Sequence, residues 1–149
     1  MAPALVHSLT RLSAADCRLL ADSVWLLARA RLLLWVLPFQ RARRIATSTR
    51  RPVRQSETRD RIRWAISVGR RFVPAASCLP QALAAEALLM RNGFPVTLRI
   101  GVLKATRNRL SAHAWVESEG RLIVGDITQG LSSFTPLPPL PPVAPRIEP

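Results

Sequence analysis

The stretch SCLPQALAAEALLMRNG, residues 77–93, decides the fold. Ser77 is of a helix-capping type, Pro80 falls in the first turn, where a missing N–H is harmless, and Gly93 stands just past the end. Alanine and leucine, both strong helix formers, fill the interior. The helix therefore opens at Cys78. Orphan backbone N–H groups and the positive end of the helix dipole gather at that end, and both favour a thiolate over a thiol. A thiolate is the form that attacks a carbonyl, and the Cys78 N–H is itself one candidate oxyanion donor. A lone cysteine beside leucine is more often a small core residue, so the residues that follow carry the weight.

C-terminal to this helix the hydrophobic period changes from helical to alternating. Val96, Leu98, Ile100 and Val102 share one face of a predicted strand over 94–102, with Thr97 and Arg99 on the other. Residues 104–110 read as a polar loop. Residues 111–118 and 121–126 are apolar-rich and flank Glu119-Gly120, the pattern of a β-hairpin. With a two-residue turn, 118 pairs with 121 and the ladder runs down to 113 opposite 126. That makes His113 and Asp126 cross-strand neighbours with Cβ atoms ~5 Å apart. A three-residue loop would put the two on opposite faces unless a second bulge at Gly125 restored the register. An aspartate beside an imidazole holds one tautomer and stabilises the protonated ring. Helices first, then a helix led by cysteine, then an antiparallel sheet is an α+β order.

N-terminal to Cys78, Ser56 starts a predicted helix with Glu57 and Asp60 in its first turn, and Pro74 closes it. Residues 41–55 carry Arg41, Arg43, Arg44, Arg50, Arg51 and Arg54 with no acid among them. They read as an exposed linker, with a docking patch for an acidic partner as the alternative. Before that, Ser13 and Asp16 form a capping-box pattern that opens a helix running to about Leu37, where Pro38 ends it. Leu19, Leu20, Leu26, Leu27, Leu33 and Leu34 line one side, opposite a stripe of Arg11, Arg18, Asp22 and Arg29. Past Arg31 the helix is apolar nearly all round. It either packs on the domain or uses residues 19–37 against a partner or a membrane surface. Asp22, Arg29 and Arg31 make it a poor transmembrane span, and it starts too late for a signal peptide. The expected organisation is an N-terminal helix and Arg-rich linker over 1–55, a catalytic core over 56–130, and a Pro-rich tail over 131–149 that forms no core.

Composition narrows the chemistry. The 149 residues suit one ordinary domain, and the net charge of +13 speaks to partners rather than to fold. Basic usage of this kind also follows genome composition. Cys17 and Cys78 are too few for a disulfide framework, and with His7 and His113 they show no zinc spacing. The sequence therefore predicts no metal, no cofactor and a reducing, cytoplasmic setting. Nucleic acid is not an expected partner, since no aromatic residue is interleaved with the arginines and no binding motif is present.

The run CLPQALAAEALLMRNGFPVTLRIGV, followed by AHAWVE, a short turn and Asp126, resembles the transglutaminase-like leader peptidases of lasso-peptide biosynthesis. The resemblance spans roughly residues 60 to 130. It implies a papain-like or transglutaminase-like core, with Cys78 as nucleophile, His113 as base and Asp126 as orienter. It implies a stand-alone peptidase that removes the leader from a ribosomal precursor peptide and frees the core α-amine for a separate cyclase. The leader would arrive on a separate recognition protein, and the lasso cyclase is a further candidate partner. A related acyl transfer by the same triad and a non-catalytic basic interaction protein are the alternatives. Papain-like enzymes often place a glutamine shortly before the cysteine as a second oxyanion donor. Phe72 and its neighbours offer none, which leaves Trp64 or a backbone N–H.

Overall fold

A computed structural model describes residues 12–48, 57–105, 109–125 and 130–143. Among the described residues, four α-helices, α1 (Ala14–Val36), α2 (Phe39–Thr47), α3 (Arg59–Gly69) and α4 (Cys78–Arg91), precede four strands, β1 (Thr97–Ala105), β2 (Arg109–Ser118), β3 (Arg121–Val124) and β4 (Thr135–Pro136). The strands form one antiparallel sheet in the order β3-β2-β1-β4. The architecture is the expected α+β.

α4 is the centre of the molecule. Every residue from 82 to 89 is buried, as a helix apolar nearly all round requires. The sheet packs on it through Leu98, Ala114, Val116, Ile123 and Val124, and α1 and α3 through Leu19, Leu26, Leu27, Ile62 and Ile66. The leucine stripe of α1 thus faces the domain, while Leu32, Trp35 and Val36 at its C-terminal end stay exposed. The capping box forms as expected: Asp16 N–H donates to Ser13 Oγ, and Ser13 N–H donates to Asp16 Oδ2. Hydrogen bonds from Ser13, with Arg61 close by, hold the Asp16 carboxyl below the usual carboxylate range. Among the described residues no helix is long and apolar enough to cross a membrane.

Two segments depart from the sequence expectation. Residues 39–47 are not an exposed linker but the helix α2, and Arg43 is buried with 4% of its surface exposed. Its guanidinium meets the Glu86 carboxylate in α4, with Nη2 2.6 Å from Oε1 and Nε 3.1 Å from Oε2. The acid that pairs it lies 43 residues away along the chain, so no local pattern could show the pair. Arg50, Arg51, Arg54 and the expected helix start at Ser56 lie outside the described residues. The helix that follows begins at Arg59 with Thr58 as its cap.

The Pro-rich segment also joins the fold. β4 pairs with β1, Phe134 is buried, Leu140 packs against the core, and the Pro141 carbonyl accepts from Arg43 Nη1 at 2.9 Å. Proline is tolerated in β4 because an edge strand has no second neighbour to donate to. The tail reading is corrected up to residue 143, and 144–149 lie outside the described residues.

Candidate active site

Cys78 is the first residue of α4 and a free, half-buried cysteine. A tight loop delivers it. Ala75 adopts a left-handed φ of 54°, and the Ser77 N–H folds back to the Ala75 carbonyl at 2.9 Å. Ser77 holds the cap position, but its hydroxyl makes no capping bond. The loop is instead tied to the helix by Gln81, whose Nε2 donates to the Ala76 carbonyl at 2.6 Å. Gln81 sits one turn along from Cys78 and pins the loop on which the cysteine is mounted. Nothing in the sequence reading singled it out.

His113 stands on β2 opposite Gly101 of β1. Its ring stacks on Trp115 with centroids 6.3 Å apart and tilts against Phe134 at 5.6 Å. The Nε2 atom lies 2.7 Å from the Gly125 carbonyl. A carbonyl can only accept, so Nε2 carries the proton and donates, which leaves Nδ1 with the lone pair. The backbone at Gly125 therefore already fixes the tautomer and orientation that the sequence reading assigned to Asp126. Asp126 itself lies outside the described residues.

The hairpin explains how Gly125 comes to lie there. Glu119 and Gly120 both have positive φ, 50° and 76°, the requirement of a type I′ two-residue turn. The expected pairs 118 with 121 and 117 with 122 form. One step later a bulge intervenes, and Val116 pairs with Val124 rather than with Ile123. The extra residue breaks the simple register that would run down to 113 opposite 126. Gly125 then takes a φ of 105°, and a Cβ there would overlap Trp115 Cβ. Only glycine fits. Gly125→Ala is expected to cost on the order of 1–3 kcal/mol from backbone strain and overpacking. It should also displace the carbonyl that holds His113. A urea melt of the variant, with the imidazole followed by NMR, checks both. Unchanged stability and unchanged ring shifts would show that the backbone at 125 is freer than this geometry requires.

Cys78 and His113 line one cleft of about 350 Å³. Gln81 and Gly125 share it, and Arg63 of α3 and Arg70 just past its end form a basic rim. Thiol and imidazole are not hydrogen-bonded to each other, which is common before substrate tightens a site. Trp64 is partly buried against the core and is not among the cleft residues. Among the described residues, the only side-chain amide in the cleft is that of Gln81. Cys17 is exposed on α1, away from the cleft.

Residues 24–138 match the family model described as the transglutaminase-like superfamily. The chain belongs to that superfamily. Its fold is one of cysteine peptidases and acyl transferases. No curated protein and no solved structure matches the chain. The match runs from the middle of α1 to just beyond β4. The matched span therefore takes in α2 and the β4 segment as well as the cleft residues, which agrees with their packing on the domain.

Proposed function

We propose that this transglutaminase-like protein is a cysteine peptidase that removes the leader from a lasso-peptide precursor, with Cys78, His113 and Asp126 as its catalytic residues. The observation that carries the reading is the meeting of Cys78, at the N-terminus of a central helix, and His113 in one cleft. In the proposed reaction His113 Nδ1 takes the thiol proton, and the Cys78 thiolate adds to the carbonyl of the last leader residue. The oxyanion is received by N–H groups at the start of α4. The imidazolium returns the proton to the departing core amine, leaving a thioester. Water, deprotonated by the same imidazole, releases the leader as a free acid. No metal or cofactor enters these steps.

The proposal includes a precursor peptide, a separate leader-recognition protein and a cyclase that consumes the freed amine, all in a reducing cytoplasm. A direct test incubates purified chain, recognition protein and precursor, and weighs the products. Two fragments whose masses sum to the precursor plus one water support hydrolysis. A product joined to an added amine, with loss of ammonia, would move the assignment to transglutaminase-like acyl transfer.

The triad has a ranked consequence. His113→Ala should lower cleavage by on the order of 10³–10⁴-fold, because the proton carrier is gone. Asp126→Ala should cost less, because the Gly125 carbonyl already orients the ring. Single-turnover rates of both variants check the order. An Asp126 variant as impaired as the His113 variant would show that the backbone carbonyl alone does not hold the imidazole.

A further inference from the structure

The apolar end of α1 does not close on the core. Together with the loop before Cys78 it walls a groove of about 850 Å³, whose surface includes Leu32, Trp35, Phe72, Leu79 and Pro80. Trp35 is 85% exposed, Leu32 58% and Phe72 55%. A contiguous apolar surface of this kind, rimmed by charge, marks a binding site more often than idle surface.

The groove is not isolated. Val73, Ala75 and Ser77 belong both to it and to a neighbouring depression that carries Arg70 and Arg71. Arg70 in turn belongs to both that depression and the cleft of Cys78 and His113. The three hollows follow one another: an apolar groove, a basic saddle, then the thiol. Arg31 adds charge at the groove wall. None of Arg31, Arg63, Arg70 or Arg71 has an acidic partner among the described residues.

We infer that this trough is the track of the peptide substrate, which carries an apolar or aromatic residue, then an acidic residue, then the bond to be cut, all on one side of that bond. The inference rests on the proposed peptidase activity and adds its specificity. Charge complementarity selects the occupant, since unpaired guanidinium groups between an apolar groove and a nucleophile fit a carboxylate on an otherwise apolar segment. Continuity with the cleft makes that occupant the substrate rather than a partner bound elsewhere. The loop pinned by Gln81 is shared wall for groove and nucleophile, so a peptide seated in the groove also presses on the segment that mounts Cys78.

The experiment separates binding from cleavage. A synthetic library of randomised ten-residue peptides is passed over the full-length Cys78→Ala chain, and retained peptides are sequenced by mass spectrometry. Retained peptides should be enriched in aromatic or large aliphatic residues followed by Asp or Glu. Arg70→Glu with Arg71→Glu should lower the affinity of a selected acidic peptide by on the order of tenfold and shift enrichment toward Lys and Arg. Trp35→Asp, at an exposed position that the fold does not need, should abolish the apolar enrichment and leave the melting transition in place. Retention without acidic preference, or a preference indifferent to charge reversal, overturns the track. Wild type is then given the selected peptides. Cutting them beside the acid supports both conclusions, whereas selective binding without any Cys78-dependent cleavage overturns the peptidase reading and leaves the trough as a docking surface only.

Discussion

Cys78→Ala is expected to lower leader cleavage by on the order of 10⁴-fold or more while leaving the melting transition nearly unchanged. The two halves of that expectation have separate causes. Loss of the sulfur removes the nucleophile, and no other cysteine stands in the cleft to replace it, since Cys17 is exposed on α1. Cys78 is only half-buried at the first position of α4, so the packing lost is small, less than about 1 kcal/mol. Helix capping is not disturbed either, because the loop is held by the Ala75 carbonyl and by Gln81 rather than by the thiol. Cleavage of a full precursor in the presence of its recognition protein is the measurement, paired with thermal denaturation. Cys17→Ser is the matched control and should cleave like wild type. Retained cleavage in Cys78→Ala would sink the peptidase assignment. Lost cleavage together with a lost melting transition would mean that the variant reports on folding, and Cys78→Ser, closer in size, would then be compared.

The parts of this molecule legible in the sequence are those set by local rules. The capping position, the early proline and Gly93 bound α4, and the apolar runs on either side of Glu119-Gly120 mark the hairpin turn, where both residues adopt positive φ. The leucine stripe of α1 was read from its period, and burial follows that stripe. What escaped depends on contacts distant in sequence. Arg43 looked like one more solvated arginine because its partner Glu86 is on another helix. The prolines after residue 131 looked like a tail because an edge position on β1 cannot be foreseen from composition. Within the site, Cys78 and His113 line one cleft, whereas the bulge at Ile123 and the carbonyl of Gly125 carry no signal in the sequence. Backbone acceptors have no residue-type signature. Gln81 was visible as a letter but its role was not, because the usual glutamine of related chemistry precedes the cysteine, and this one follows it.

Glu86→Ala is expected to be among the most destabilising single changes in the chain, at about 3–5 kcal/mol, the usual cost of breaking a buried ion pair. That is a large share of the roughly 5–15 kcal/mol that holds a domain folded. The reason is asymmetry. Arg43 and Glu86 are 4% and 1% exposed, and their bidentate contact satisfies both charges with a further bond from Nη1 to the Pro141 carbonyl. Removing the carboxylate leaves a guanidinium buried against α4 with only that carbonyl. It also frees α2 and the segment after β4, which meet at this arginine, so the loss should propagate to both. Arg43→Met leaves an unpaired carboxylate in the same place and should cost a comparable amount. The double variant Arg43→Met with Glu86→Leu removes both charges and fills the space with apolar side chains of similar volume. It should recover most of the lost stability, because desolvating the pair offsets most of its mutual attraction. Urea denaturation of the wild type, both single variants and the double variant closes the cycle. Coupling near zero, with the single losses simply adding, would mean that the two side chains are solvated and do not form a buried pair. A double variant that folds stably yet cleaves poorly would instead assign the pair a part in keeping α2 and the segment after β4 in place around the cleft.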